Sequence, residues 1–130
     1  MQIDNTLLDK LTAQAKESPR LRMNLDLRNS DADSSQRMLN AIEPGSVVPV
    51  HRHPATSETL VVLRGRVVEE YYSSEGVVEA SFDLASGGPI CALNIPAGQW
   101  HTLRALDPGT VILEMKDGPY EPILECDILK

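Results

Sequence analysis

The feature that most restricts this chain is a period of two in its apolar residues, which sets in after Pro19. In "RLRMNLDLRN" Leu21, Met23, Leu25 and Leu27 alternate with Arg22, Asn24, Asp26 and Arg28. Side chains alternate across a strand, so this pattern describes a strand with one face buried. The same texture returns in "QRMLNAIEPG", "SVVPVHRH", "ETLVVLRGRVVEEYY", "VVEASFDLA", "ICALNIP", "WHTLRAL" and "TVILEMK". Between these runs lie turn-formers: "NSDADSS", "PATS", "SSEG", "SGGP", "AGQ", "DPG" and "GPYEP". About eight or nine short strands with a turn signal roughly every 8–12 residues predict an all-β sandwich or barrel. One helix precedes them. Over residues 3–17, Ile3, Leu7, Leu8, Leu11 and Ala15 fall on one stripe, with Asp4 or Asn5 as cap and Ser18-Pro19 as stop.

A chain of 130 residues is the size of one domain. The expected division is a helix over 1–18, a barrel over 20–122 and a tail over 123–130. A net charge of −7 argues against nucleic acid or an anionic membrane as main partner. Cys91 and Cys126 are far apart with no CxxC spacing, which fits a reduced, cytoplasmic chain. No basic-then-apolar leader is evident, and no apolar run approaches 18 residues.

Within this pattern the chemistry concentrates on "HRHPATSE". On a strand, His51 and His53 share a face and Arg52 takes the other, with Pro49 and Pro54 bracketing the pair. Their Cα atoms would lie about 6.6 Å apart, close enough to converge on one ion. The turn over 54–57 lets Glu58 face the same point. The third histidine, His101, begins the strand after "PAGQW". Three imidazoles and a carboxylate suit one divalent transition metal, Zn, Mn, Fe or Ni, with positions left for water or substrate. Taken alone, a His-x-His pair on a strand is more often structural or exposed than metal-binding.

The spacings favour the metal. Gly45, five residues, His51-x-His53, four residues, Glu58, six residues and Gly65 resemble the complete first motif of the cupins, and Pro96-x-Gly98-x-x-His101 resembles the core of their second. Seven residues rather than five separate Gly88 from Pro96, and Ala105 stands where an Asn often does. More narrowly, "QRMLNAIEPGSVVPVHRHP", "VVLRGRV", "IPAGQWHTL" and "LDPGTVILEMKDGPYEP" resemble the WbuC family of cupin-fold metalloproteins. Asp26 replaces a His usual in that family, and the tail "ILECDILK" is shorter than the family's. The resemblance implies a double-stranded β-helix, or jelly-roll barrel, with metal ligands His51, His53, Glu58 and His101. It also implies a link to bacterial surface-polysaccharide (O-antigen) biosynthesis.

Other residues become candidates through strand parity. Gln36 and Asn40 share a face, as do Glu114 and Lys116, while Val111, Leu113 and Met115 take the opposite one. Turned inward, Gln36 and Asn40 would bind substrate and Glu114 and Lys116 would carry protons. Turned outward, they form a solvated edge. Tyr120 would close the cavity or pack on a barrel end. Arg22 and Arg37 suit an anion or the surface, and Trp100 alternates away from His101. Val61 and Leu63 are apolar on the face opposite Glu58, so the N-terminal helix or a second barrel must cover them, and a homodimer is expected. Three functions fit: a metal-dependent isomerase or epimerase acting on a sugar or sugar-derived molecule, an Fe(II) dioxygenase, and a binding module in which the metal anchors a sugar or carboxylate.

Overall fold

In the computed structural model, which describes all of residues 1–130, the helix α1 spans Asn5–Glu17. Its first two expected residues stay outside because Asp4 is the cap, its side chain accepting the Leu7 N–H at 3.0 Å. Eight strands follow: β1 (Arg22–Asp26), β2 (Ser35–Ile42), β3 (Glu58–Arg64), β4 (Arg66–Tyr72), β5 (Val78–Ala85), β6 (Ala92–Ile95), β7 (Trp100–Ala105) and β8 (Thr110–Asp117). All ladders are antiparallel, in a five-stranded sheet β1-β2-β8-β3-β6 and a three-stranded sheet β5-β4-β7. The all-β form is the one the alternation predicts, and the jelly-roll barrel is the one the cupin resemblance implies.

Two apolar clusters divide the work. Ile42, Leu60, Val62, Val67, Leu84, Ala105 and Ile112 fill the barrel interior at one end. Outside the larger sheet, Leu8, Leu11 and Ala15 of α1 pack with Leu39, Ala41 and Val111, and Leu63 joins them. The helix cluster therefore covers Leu63, while Val61 stays half-buried outside it. Ala105, at the position where an Asn often stands, is one of the core fillers.

The structure corrects two boundaries. "ETLVVLRGRVVEEYY" is two strands in different sheets, β3 and β4, parted at Gly65. Gly65 has φ +83, and a Cβ there would meet Thr110 Oγ1 at 2.3 Å and the Thr110 Cα at 2.8 Å. Only glycine passes so close to β8 while turning into the left-handed region. Nor is "SVVPVHRH" a regular strand: its only ladder contacts are bridges at His51, to His101 and to Ile128. Pro49 has no N–H to donate, which interrupts any continuous ladder there.

The last residues are drawn into the barrel. A short 3-10 turn at Glu125–Asp127 brings the tail beside the histidine segment, where Arg52 N–H donates to Asp127 O (3.0 Å) and Leu129 N–H to Val50 O (2.8 Å). No helix is long and apolar enough to cross a membrane.

Gly65→Ala combines a strained φ with backbone overlap, so its expected cost is about 2–4 kcal/mol. Urea unfolding checks this, and Gly87→Ala is the control: φ there is +73, with nothing within 4 Å of an added Cβ.

Candidate metal centre

His101 is the second residue of β7, paired across the ladder with Tyr71. On its other side it exchanges both backbone hydrogen bonds with His51, at 3.0 and 2.8 Å. His53 follows, its carbonyl accepting the Gly98 N–H at 2.8 Å. The turn of the second motif is thus tied to the histidine pair. Glu58 opens β3 opposite Ile95 and Lys116. Ring centroids lie 4.4 Å apart for His51–His101, 5.1 Å for His51–His53 and 5.7 Å for His53–His101.

Each imidazole offers a ring nitrogen, and the three nitrogens lie within 4.8 Å of one another. Two are preset by the backbone: His51 Nδ1 is 2.8 Å from Pro49 O, and His101 Nδ1 is 2.9 Å from Gln99 O. A carbonyl only accepts, so both Nδ1 atoms carry the proton and both Nε2 atoms present free lone pairs. Glu58 Oε2 lies 3.2 Å from His53 Nε2 and 3.5 Å from His101 Nε2. It is buried, and neither contact has hydrogen-bond geometry. An orphaned carboxylate oxygen beside converging imidazole nitrogens is what a divalent ion with N/O preference requires. The donor set therefore fits a metal.

Electrostatics agree. Burial and the neighbouring His101 lower the His51 pKa to about 4, so its ring is neutral at pH 7. Burial alone would raise Glu58, but the adjacent His101 and His53 outweigh it and hold the carboxyl well below its usual range.

Arg52 points away from the histidines, as strand parity predicts. Its Nε donates to Asp127 Oδ1 at 2.8 Å, and its guanidinium carbon sits 4.6 Å from the centroid of the Trp100 ring. Asp127 is only 5% exposed. The tail carboxylate, the arginine and the tryptophan clamp the outer side of the segment whose inner side carries His51 and His53. Trp100 is thus a packing residue.

A cavity of about 500 Å³ opens from this cluster. Gln36, Asn40, Glu114, Lys116 and Tyr120 all line it, so the polar faces of β2 and β8 turn inward. Their tasks differ. Gln36 Nε2 donates to Gly118 O and Pro119 O, at 3.0 and 3.2 Å, and so holds the loop that carries Tyr120. Tyr120 is 61% exposed at the mouth, with the Arg28 guanidinium carbon 5.6 Å from its ring centroid. Asp26, which also lines the cavity, in turn holds Arg28 at 2.8–3.2 Å. Arg22 and Arg37 also line the cavity, but their NH1 groups donate to Val47 O (2.7 Å) and Asp33 Oδ2 (3.1 Å). Lys116 Nζ lies 3.1 Å from His53 Nδ1, and burial lowers its pKa. Glu114 is raised to about 8, by burial first and by the Glu58 charge second.

Sequence reasoning missed Glu69. It is wholly buried and lines the same cavity, with no hydrogen-bond partner for either carboxyl oxygen. Burial, then the charges of Glu58, Glu114 and Glu70, raise it to about 9. In "RVVEEYY" each face of the strand receives one Glu, one Val and one Tyr, so parity alone marks neither carboxyl as inward.

No curated protein matches the chain. A family model described as a domain of unknown function (DUF6016) matches residues 3–84. Among solved structures, TT1209 from Thermus thermophilus is similar at TM-score 0.64 and 24% identity, over 91% of this chain and 98% of that one. The capsular polysaccharide assembling protein CapF from Staphylococcus aureus is similar at TM-score 0.68 and 18% identity, over 85% of this chain but 32% of CapF. Oxalate decarboxylase from Bacillus subtilis, described with Mn(II) centres, is similar at TM-score 0.61 and 20% identity, over 79% of this chain and 27% of its own. These likenesses establish the cupin fold.

Glu69 has a pH consequence. The folded chain keeps its proton up to about pH 9, while the unfolded chain releases it near 4.5. Between those values the folded state binds more protons, so stability falls as pH rises, by at most about 1.4 kcal/mol per pH unit. Glu69→Gln removes this contribution. Urea midpoints at pH 5 and pH 8 should show the variant gaining on the parent at the higher pH, and an unchanged pH dependence would refute the buried, protonated state.

Proposed function

The chain belongs to the DUF6016 family, and on that premise we propose that it is a divalent-metal cupin acting on a sugar or sugar-derived acid, in the manner of an isomerase or epimerase. One observation carries this reading. Two imidazoles with their Nδ1 protons committed to backbone carbonyls, a third imidazole and an orphaned carboxylate oxygen gather at the wall of a cavity lined by further titratable groups. His51, His53, His101 and Glu58 would hold the ion. When bound, it would supply Lewis acidity toward a carbonyl or enediol oxygen.

The chain's own residues do the rest. Glu114, raised to about 8, sits near the pKa at which a carboxyl both gives and takes a proton at neutral pH. Lys116 stands beside it on the same face of β8, two residues nearer the mouth. Gln36 and Tyr120 shape the entrance, and Asn40 offers an amide oxygen within. The resemblance to the WbuC family and the likeness to CapF both support a substrate from surface-polysaccharide synthesis.

The test is metal content in protein purified without a His-tag, followed by turnover and oxygen uptake with nucleotide sugars and small acids. The expected outcome is one divalent ion per chain and turnover without oxygen. Iron with substrate-dependent oxygen consumption would replace the isomerase with a dioxygenase. Zinc without turnover, but with sugar-dependent thermal stabilisation, would leave a binding module.

Two variants test the ligand set. Joint His51→Ala and His53→Ala replacement should abolish stoichiometric metal, and one ion per chain in that variant would refute it. Asp127→Ala releases the clamp on Arg52 without touching a ligand. It should weaken metal binding about 10–100-fold in chelator competition, with the far-ultraviolet circular dichroism preserved.

A further inference from the structure

The cavity does not end at the metal layer. Ladder register sets the depth of each side chain. Glu69 lies two residues deeper than Tyr71, which pairs with His101, and Glu114 lies two residues deeper than Lys116, which pairs with Glu58. Two residues of strand are about 6.6 Å. Glu69 belongs to the three-stranded sheet and Glu114 to the five-stranded one, so they line the cavity from opposite walls. Asn40 of β2, opposite Ile112, lies one layer deeper on the five-stranded wall, where the apolar interior of Val67 and Ile112 begins.

Three polar atoms at this floor have no hydrogen-bond partner: both carboxyl oxygens of Glu69 and Oδ1 of Asn40. Glu69 is 0% exposed and Asn40 8%. An unpaired buried polar atom costs about 1–3 kcal/mol. Native interiors carry few of them, and three around one space mark it as built to receive a polar partner.

The chemistry of the floor selects the partner. Burial, the largest influence on both, favours the neutral acid at Glu69 and Glu114, and a neutral carboxyl donates one hydrogen bond and accepts others. Asn40 Oδ1 accepts. Such groups match hydroxyls, which also donate and accept. An incoming carboxylate would meet too many lone pairs here, whereas Lys116 waits for it one layer nearer the mouth. As the chain stands, solvent does not reach the Glu69 oxygens, so engagement requires that flexible side chain to turn toward the cavity.

We infer that Glu69, Glu114 and Asn40 form a subsite for the hydroxyl groups of a polyhydroxylated acid whose carboxylate end lies at the His51–His53–Glu58–His101 layer. The placement of the head rests on the proposed metal reading, and the floor rests on its own unpaired atoms. The subsite would set specificity for the tail of the ligand and would discriminate against deoxygenated analogues, because removing a hydroxyl leaves buried groups unpaired again.

The test uses the full chain with its metal content measured first. Binding of D-gluconate, D-galactonate and D-mannonate is compared with that of glycolate by calorimetry. All four share the 2-hydroxycarboxylate head, and only the aldonates carry further hydroxyls. At least one aldonate should bind tenfold or more tightly than glycolate. Glu69→Leu should abolish that advantage while leaving glycolate affinity unchanged, and Glu69→Gln, whose amide also donates and accepts, should restore most of it. Aldonates no tighter than glycolate, or equal weakening of both by Glu69→Leu, would overturn the subsite. A chain that binds no metal would instead overturn the proposed function. The floor is then read from thermal stabilisation by D-glucitol against 1,6-hexanediol: stabilisation by glucitol alone, lost in Glu69→Leu, supports it, and no difference overturns it.

Discussion

The site depends on one exchange of backbone hydrogen bonds, His51 N–H to His101 O and His101 N–H to His51 O. These residues are fifty apart in sequence, and nothing in their side chains draws them together before a metal is bound. A segment with proline at position 49 cannot propagate a regular ladder. The contact is therefore a single bridge, reinforced from outside by the tail and from below by the Gly98–His53 hydrogen bond. Loss of that bridge would leave Glu58 facing one imidazole from β7 and none from the loop.

The interior is graded along its axis. One end is filled with Leu, Ile and Val and secures the barrel, while the other admits charged groups. The gradient is possible because α1 packs outside the five-stranded sheet and gives it a second apolar cluster. With apolar burial on both sides of that sheet, the fold tolerates a cavity that contains three buried or half-buried glutamates. Each of those carboxyls is displaced from ordinary behaviour by its surroundings: Glu58 toward the ionised form by the imidazoles, Glu69 and Glu114 toward the neutral form by burial and by Glu58. Pairs of groups pushed apart in this way are characteristic of sites that move protons.

The C-terminal segment belongs to the site although it carries no ligand. Asp127 reaches Arg52, and Arg52 lies against Trp100, so the residues between and beside the ligands are used to hold them. Asp26, Arg28 and Tyr120 form a comparable chain at the rim. In both cases charged residues outside the ligand set hold segments that border the site.

Much of this was legible in the residues. Alternation of apolar side chains and the spacing of turns specify an all-β sandwich or barrel, because period two is the burial pattern of strands. The set His51, His53, Glu58 and His101 was legible through its resemblance to the cupin motifs and not through local geometry, since His101 meets the others only across a long-range bridge. The polar sides of β2 and β8 were visible as faces, but whether they turned inward was not, because parity relates side chains to one another and not to a core. Glu69 shows the same limit, for either face of β4 carried a carboxyl. The break of one apolar run into β3 and β4 hung on the approach of Gly65 to Thr110, a contact between distant residues. So did the fastening of the tail along the histidine segment. Local chemistry determined the elements and the candidate donors. Only the closure of two sheets around a common interior decided which polar groups would be buried together, and hence how each of them titrates.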